Sequence, residues 1–349
     1  MSLNAVNHRR VLHRMPELDD ELPDTTAYVR KVLEPLGAEV FSPIKGSVCA
    51  YFDAGAEETV ALRADMDALP VTECTGLFFA SERPGRMHAC GHDGHTAIEL
   101  GLAEETARMI RAGEKLPRNV LFVFQPAEET TGGAGRICET GVFEKYRVTR
   151  IFGLHLWPNL PEGSVWSRPG PMMARSNEVT LKVTGRSVHV SRAAEGLDAL
   201  RAGVDWMNAA YAWTEALPPD VLRTLQFGRM TAGTVRNAVA GSAEIQGTLR
   251  TYDEDAAEMI RSHLRTLAAE TAERTGCGLE VSFSTGYPAV WNNETLSERV
   301  SPRSCSLNPS SRRRTSPSTR GAFPASSSSS AWGPRTNSTP RTSAGTTRP

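Results

Sequence analysis

The chain has 349 residues and a formal net charge of −1, a balance that argues against nucleic acid or an anionic membrane surface as a partner. Its hydrophobic content of 40% is ordinary for a globular protein, and its length suffices for two domains. No apolar run is long enough for a membrane span or a signal peptide. The six cysteines are scattered without the spacing of a disulfide framework, so we expect a cytoplasmic protein.

The first half of the chain combines helical periodicity with continuous apolar runs, which together predict an α/β domain. Residues near 4–36 are expected to be helical, and an amphipathic helix is predicted from Thr96 to about residue 112. The run NVLFVF is typical of a parallel strand that is covered on both faces. The predicted strands of this half are 47–53, 59–64, 119–124 and 150–156, and a short helix is predicted to end near Gly141.

The stretch 87–95, MHACGHDGH, contains one thiol, three imidazoles and one carboxylate within nine residues. Cys90 and His92 are two residues apart, so in an extended chain their side chains would project to the same side. A sulfur and an imidazole nitrogen suit zinc or a neighbouring transition metal better than magnesium or calcium. A buried cysteine and a histidine with ordinary hydrogen bonds would be the simpler interpretation, and this motif alone does not decide between the two.

Three predicted strands end in side chains that can bind a metal ion. These are Asp65 and Asp67 after the strand at 59–64, Glu128 and Glu129 after the strand at 119–124, and His155 in the strand at 150–156. Ordinary turn chemistry would also account for acids beside Pro70. In open α/β sheets, however, ligands bind outside the carboxyl ends of the strands, so these groups are expected to converge. A cation would relieve the repulsion between Glu128 and Glu129, and one of them would stay free for proton transfer.

From about Arg175 the pattern changes to half-buried strands and amphipathic helices. The segment SNEVTLKVTGRSVHVS alternates like a strand, and it contains an isolated histidine, His189, which would ordinarily be a surface residue. The elements predicted after it are a helix at 197–216, strands at 223–231 and 243–252, a helix at about 253–275 and a strand at 278–284. This β-α-β-β-α-β order predicts a ferredoxin-like unit, inserted as a second domain.

Taken together, these motifs resemble the zinc-dependent N-acyl-amino-acid amidohydrolases, a group that includes hippurate hydrolases and aminoacylase-like metallopeptidase relatives. The matching segments are LHRMPEL (12–18), LRADMDALPVTE (62–73), MHACGHDGHTA (87–97), FQPAEE (124–129), GLHLWP (153–158), GTVRNAVAGSAEIQGTLRTYD (233–253) and YPAVWNN (287–293). The resemblance implies a zinc-exopeptidase-like α/β fold with a mixed, largely parallel sheet, helices on both faces and an inserted ferredoxin-like α+β lid domain. The implied boundaries are 1–172 and 286–300 for the catalytic domain and 173–285 for the lid and dimerisation domain.

The resemblance also implies roles for individual residues and a cofactor. The implied metal ligands are Cys90, His92, Glu129 and His155, and the implied catalytic residues are Glu128, Asp65, Asp67 and His189. Asn237 and Arg250 match residues that hold the carboxylate of the substrate. The cofactor would be two divalent ions, zinc or manganese with cobalt or nickel as alternatives. The partners would be a small N-acyl amino acid and a second copy of the chain, joined through the lid domain.

The implied reaction is hydrolysis of the amide bond of an N-acyl amino acid. The bound metal would lower the pKa of water towards about 7, Glu128 would move the proton to the leaving amine, and His189 would help to stabilise the oxyanion. The alternatives are a dipeptidase of the same superfamily and a non-catalytic dimeric binding protein with a degraded site. A purely structural zinc site is disfavoured, because such sites are closed by cysteine and histidine alone.

The chain departs from the resemblance at two places. After His189 the related enzymes have a Pro-His pair, where this chain has Ala193 and Ala194. Residues 301–349 are rich in Ser, Pro, Thr and Arg and contain no Asp or Glu, so we expect this tail to be disordered. The related enzymes have one more ligand histidine there, whereas no histidine follows His263.

We interpret this tail as the product of a reading-frame shift near residue 300, with a genuine basic tail on a shortened enzyme as the alternative. Translation of the neighbouring frames distinguishes the two, because a shift predicts an acidic and aliphatic continuation that contains a histidine. In either case the chain lacks one expected ligand and part of the cover of its sheet, so we expect it to be unstable or weakly active.

Overall fold

The computed structural model describes residues 3–300 and 325–328, and these residues divide into one compact unit that ends at Trp157 and a second that begins at Pro158. The helices of the first unit are α1 (Leu3–Arg14), α2 (Pro23–Leu33), α3 (His92–Arg111), α4 (Gly133–Glu139) and α5 (Val142–Lys145). Its strands are β1 (Glu39–Phe41), β2 (Val48–Phe52), β3 (Thr59–Asp65), β4 (Asn119–Gln125) and β5 (Val148–Leu156).

The strands of the first unit form a mixed sheet in the order β1-β2-β4-β3-β5. The central strands β4, β3 and β5 are parallel, whereas β1, β2 and β4 pair antiparallel. This arrangement confirms the predicted mixed α/β sheet, and each of the four predicted strands forms within two residues of its expected ends. The three-residue strand β1 was not predicted, because so short a segment has no measurable period.

Alternate side chains of β4 pack into two different hydrophobic clusters. Phe122 and Phe124 face α1, α2 and α3, where they pack with a cluster that includes Leu12, Val29 and Leu100. Leu121 and Val123 point to the other face and pack with Ile137, Val142 and Tyr146 from the segment that contains α4 and α5. Helices therefore cover both faces of the sheet, which explains why β4 reads as one continuous apolar run.

Two local expectations for the first unit were wrong. Residues 4–36 do not form one helix, because the chain turns between α1 and α2 at Pro16, a residue without a backbone N–H. Helix α3 begins at His92 rather than at Thr96, since Gly91 takes a left-handed conformation (φ 100°) and turns the chain into the helix. Cys90 and His92 therefore do not lie on one extended segment.

The second unit contains the predicted ferredoxin-like arrangement. Its elements are β6 (Gly170–Met173), β7 (Arg175–Thr184), α6 (Ala199–Ala216), β8 (Arg223–Ala232), β9 (Ser242–Thr251), α7 (Glu254–Thr275), β10 (Gly278–Phe283), β11 (Val290–Asn292) and α8 (Glu294–Val300). The antiparallel sheet has the order β10-β7-β9-β8, and Trp206 of α6 and Leu264 of α7 pack with its buried residues. The β-α-β-β-α-β order read from the sequence is therefore confirmed.

The segments that flank the ferredoxin-like sheet also belong to the second unit. Strands β6 and β11 pair antiparallel, which brings residues 170–173 and 290–292 together. The second compact unit thus begins at Pro158 and includes residues 286–300, whereas the resemblance implied domain boundaries at 172/173 and 285/286. None of the described helices is both long and apolar enough to cross a membrane.

Of the tail, the structure describes only a short strand, β12 (Ala325–Ser328). The predictions of disorder or of a frame shift for the rest of residues 301–349 lie outside the described residues.

Candidate metal centre

The two parallel strands β3 and β4 end side by side. In their register Asp65 lies opposite Gln125, and Met66 N–H donates to the carbonyl of Gln125 over 2.9 Å. The loops that follow both strands therefore start from one point at the carboxyl edge of the sheet. This is the convergence that the sequence predicted for the acidic residues.

The Asp67 carboxylate joins these two loops. It accepts hydrogen bonds from the backbone N–H of Glu128 (2.9 Å) and of Glu129 (3.0 Å). Asp67 is 1% exposed, so both of its oxygens are committed to the neighbouring loop and not to solvent. The sequence left open which of Asp65 and Asp67 lies closer to the reacting groups. In the structure, Asp67 is the residue whose carboxylate binds the backbone of both glutamates.

The Asp65 carboxylate lies at the centre of a charged network. One oxygen contacts His95 Nδ1 at 2.6 Å, and the other accepts a hydrogen bond from Arg63 Nη1 at 2.9 Å and lies 3.7 Å from His92 Nε2. Burial would raise the pKa of Asp65, but the charges of His92, Arg63 and His95 outweigh burial and hold that pKa well below its usual range. Asp65 is therefore a fixed negative charge beside His92.

His92, the first residue of α3, points one ring nitrogen towards Glu129. Its Nδ1 lies 2.7 Å from the carbonyl oxygen of Asp67, and because a carbonyl only accepts, Nδ1 carries the proton. Burial lowers the pKa of His92, but Asp65 and the hydrogen bond to Asp67 outweigh burial and raise that pKa well above its usual range. The lone pair on Nε2, which lies 3.7 Å from Glu129 Oε1, is therefore available when a cation replaces the proton there. A backbone carbonyl that fixes the tautomer in this way is the usual support of a histidine that binds a metal ion.

His155, near the end of β5, faces Cys90 in the same way. Its Nδ1 lies 2.7 Å from the carbonyl oxygen of Leu156, and its Nε2 lies 3.5 Å from Cys90 Sγ. A tetrahedral zinc ion with typical bond lengths would place a sulfur and a nitrogen ligand about 3.5 Å apart. Burial and the nearby His95 lower the pKa of His155 to about 4, so its imidazole is neutral at pH 7 and able to bind a cation.

Helix α3 packs closely against Leu156 at the end of β5. A Cβ atom on Gly94 would lie 2.4 Å from Leu156 Cδ1, so this position of α3 has room only for glycine unless Leu156 moves. His95 Nε2 also accepts a hydrogen bond from the backbone N–H of Leu156 over 2.8 Å. These contacts hold Cys90 and His155 at their separation.

Within the described residues, three groups of side chains offer ligand atoms that lie within 4.8 Å of one another. The groups are Cys90, His92 and His155; Asp65, His92 and His95; and His92, Glu128 and Glu129. Among the described residues, His92 Nε2 and Glu129 Oε1 are buried and have no hydrogen-bond partner. Buried polar atoms without partners are rare, and a divalent cation would satisfy both of these. The donors present therefore fit a metal ion bound by sulfur, nitrogen and carboxylate oxygen.

The adjacent glutamates lie at nearly the same distance from His92 but differ in exposure. The side chain of Glu129 is 22% exposed and that of Glu128 is 37% exposed, with Oε2 3.9 Å from His92 Nε2. Burial and the neighbouring Asp65 raise the pKa of Glu128 to about 7. Glu129 is therefore the better placed of the two for metal binding, and Glu128 the better placed for proton transfer near neutral pH.

The remaining predicted site residues belong to the second unit. His189 and Asn237 lie side by side, because Val190 N–H donates to the carbonyl of Asn237 over 3.0 Å and His189 pairs with Ala238 as an isolated bridge. The side chains of His189, Asn237 and Arg250 are exposed, and Arg250 lies on β9. None of these three takes part in the groups of ligand atoms found among the described residues.

Sequence reasoning assigned no role to His95 or Arg63, which flank Asp65 on two sides. The spacing of His92 and His95 carried a usable signal, since residues three apart on a helix share one face. That signal was missed because the helix was expected to begin at Thr96. Arg63 carried no such signal, because one arginine within a strand has no distinguishing pattern.

Comparison with known proteins places this site in a family. Residues 61–323 match the peptidase family M20/M25/M40. An uncharacterised hydrolase of Staphylococcus epidermidis is 34% identical over 295 residues, which cover 84% of this chain and 76% of the relative.

Two solved structures share the fold at more than 30% identity. YXEP of Bacillus subtilis, a dinuclear metal-binding peptidase of family M20, is 32% identical with a TM-score of 0.70 and covers 84% of this chain and 78% of its own. A proposed aminohydrolase from methicillin-resistant Staphylococcus aureus is 31% identical with a TM-score of 0.81 and covers 87% of this chain and 82% of its own. Sequence, fold and the grouped ligand atoms agree, and the chain belongs to the peptidase family M20/M25/M40.

Proposed function

We propose that the chain hydrolyses the amide bond of N-acyl amino acids with two divalent cations, zinc or manganese, bound at the candidate metal centre. The observation that carries this proposal is the difference between the adjacent glutamates. Oε1 of Glu129 is buried, faces His92 and has no hydrogen-bond partner among the described residues. The pKa of Glu128, in contrast, is raised to about 7. A site with one glutamate for the metal and one for the proton suits hydrolysis better than a structural role.

Cys90, His92, Glu129 and His155 would hold the cations. When bound, a divalent cation supplies Lewis acidity, which lowers the pKa of water from its ordinary value towards about 7. Glu128 takes the proton from the attacking water and delivers it to the nitrogen of the leaving amine. Asp67 keeps Glu128 in place for both transfers, because it binds the backbone N–H of that residue.

The residues proposed to bind the substrate lie on the second unit. Asn237 and Arg250 would hold the carboxylate of the amino-acid half, since an amide and a guanidinium both donate to carboxylate oxygens. His189 would donate to the oxyanion that forms during attack. The exposure of all three side chains is compatible with binding a ligand.

We also propose that the protein is a homodimer joined through the second unit. Strand β8 lies at the edge of the sheet order β10-β7-β9-β8. An edge strand of ten residues presents unpaired backbone groups, which a second copy of the chain can cover. Light scattering coupled to size exclusion measures the mass in solution, and a monomer at micromolar concentration would contradict this proposal.

A substrate panel tests the proposed function. Purified protein loaded with zinc or manganese is expected to release amino acid from N-acetyl or N-benzoyl amino acids and to lose this activity after chelation. Turnover is expected to be weak, because the resemblance implies one more ligand histidine and no histidine follows His263 in the sequence. Preferred cleavage of dipeptides with a free amine would indicate a dipeptidase instead, and metal binding without any hydrolysis would indicate a non-catalytic binding protein.

The pH dependence of hydrolysis should follow Glu128. The proposed base acts only when it is ionised, so kcat/KM is expected to rise with pH and to reach half of its plateau at or below about pH 7. A bound cation stabilises the carboxylate and moves this midpoint downwards. The measurement is a pH–rate profile from pH 4 to 9, and a midpoint well above pH 7 would exclude Glu128 as the titrating group.

A further inference from the structure

The turn between α1 and α2 runs past both loops of the metal centre. We name its residues 17–20 the strap; they overlap the segment LHRMPEL, to which the proposed mechanism gives no role. The carbonyl of Glu17 accepts a hydrogen bond from Ala68 N–H over 2.7 Å, and the carbonyl of Asp19 accepts one from Ala127 N–H over 3.0 Å. The strap thus binds the backbone next to Asp67 with one end and the backbone next to Glu128 with the other.

Both partners of the second of these hydrogen bonds have a left-handed backbone. Asp19 has a φ of 60° and Ala127 a φ of 54°, a region that residues other than glycine rarely adopt. Ala127 is fully buried, and its carbonyl accepts hydrogen bonds from Gly132 N–H (2.9 Å) and Gly133 N–H (3.4 Å). The strained residue directly before Glu128 is therefore held from the strap on one side and from the glycine turn on the other.

Side chains hold the strap itself. The buried carboxylate of Glu17 accepts from Thr25 N–H (2.8 Å) at the start of α2 and from Arg83 Nη1 (2.9 Å). The carboxylate of Asp20 accepts from Arg136 Nη1 of α4 over 3.0 Å, and that of Asp19 accepts from the hydroxyl of Thr130. The strap is therefore bound both to α2 and α4 and to the loop that contains the two glutamates.

We propose that Asp19 is a positioning residue: its left-handed backbone fixes Ala127, and Ala127 in turn fixes the direction of Glu128 and Glu129. The inference rests on the proposed function for its effect on turnover, but not for its effect on the order of the loop at 126–131. Asp19 is not in the groups of ligand atoms found among the described residues, and it is proposed to act through its backbone hydrogen bond to Ala127.

Substitutions at Asp19 separate backbone conformation from charge. Asn and Gly both accept a left-handed φ, whereas a β-branched residue does not. We therefore expect Asp19→Asn and Asp19→Gly to keep kcat and the dissociation constant for zinc within about threefold of the wild type. Asp19→Val is expected to lower kcat at least tenfold with KM within twofold, and to weaken zinc binding at least tenfold through Glu129.

Arg147 provides a matched control. It also has a left-handed φ of 51°, and its carbonyl also accepts a backbone hydrogen bond over 3.0 Å, from Thr59 at the start of β3, the other end of the sheet. Arg147→Val should lower Tm as Asp19→Val does, while it leaves kcat and zinc affinity within twofold of the wild type. Equal losses of zinc affinity in both variants would overturn the proposal, because the effect would then be general instability.

Hydrogen exchange of the loop at 126–131 gives a readout that needs neither metal nor substrate. Asp19→Val is expected to speed exchange of this loop at least tenfold, and Arg147→Val is expected to leave it unchanged. Where Asp19→Val does not fold, Asp19→Ala, which tolerates a left-handed φ better than a β-branched residue but less well than Gly or Asn, should speed the same exchange by a smaller factor. Wild-type exchange of the loop in these variants would overturn the proposal, whereas a lack of hydrolysis in every variant would contradict only the proposed function.

Discussion

Replacing Glu128 by glutamine is expected to lower turnover about 10²- to 10⁴-fold, the range that a positioned general acid and base contributes. Glutamine keeps the size of the side chain and the backbone N–H that binds Asp67, but it accepts no proton. Metal content and Tm should therefore stay at their wild-type values. The measurements are steady-state kinetics on the best substrate of the panel and metal analysis of the same sample.

Glu129→Gln is the matched control for that variant. Its backbone N–H also binds Asp67, but its Oε1 is buried beside His92 and is the proposed metal ligand. This variant is expected to lose metal affinity first and turnover as a consequence, so that excess metal partly restores its rate. Excess metal should not restore Glu128→Gln. A fully metallated and active Glu128→Gln variant would remove Glu128 from the proposed role.

Replacing Asp67 by alanine is expected to disable the site more broadly, with lower stability, weaker metal binding and loss of turnover. The substitution removes the acceptor of two backbone hydrogen bonds, and each hydrogen bond to a charged group contributes about 1.5–3 kcal/mol. We therefore expect the free energy of unfolding to fall by about 3 kcal/mol or more. Urea titration measures this change, and zinc titration measures the accompanying loss of affinity.

Asn119 offers a control with the same kind of contact at the other end of β4. Its Oδ1 accepts from the backbone N–H of Ala54 (2.9 Å) and of Ala56 (3.1 Å). Asn119→Ala should therefore cost stability while metal affinity stays within twofold of the wild type. If Asp67→Ala bound zinc as tightly as Asn119→Ala, Asp67 would not be the residue that holds the glutamates in place.

The sequence was most informative where long apolar segments end in polar side chains. The run at 119–124 and the acids that follow it located both β4 and Glu128, because a strand covered on both faces leaves a pattern that does not depend on its partners. The convergence of Asp65 with these glutamates followed from a general property of parallel strands. Neither inference needed the detailed packing of the unit.

Other features depend on contacts that the sequence does not display. The left-handed φ of Gly91 moved the start of α3 and changed how Cys90 meets its neighbours, and single backbone angles leave no period. The strap was hidden for the same reason, because its carbonyls accept hydrogen bonds from backbone N–H groups of residues far away in sequence. Pro16 is a visible signal of the break between α1 and α2, because a proline cannot donate the backbone hydrogen bond that the interior of a helix requires.

The two-sided packing of β4 has a consequence for how the chain can vary in length. Because its side chains alternate between two clusters, one residue inserted or deleted within the strand would exchange the clusters and turn the downstream acids to the opposite face. Length changes among relatives should therefore fall in the segment 113–118 that precedes the strand. The number of residues between Asn119 and Glu128 should therefore stay constant, because it determines on which face of the sheet the glutamate side chains emerge.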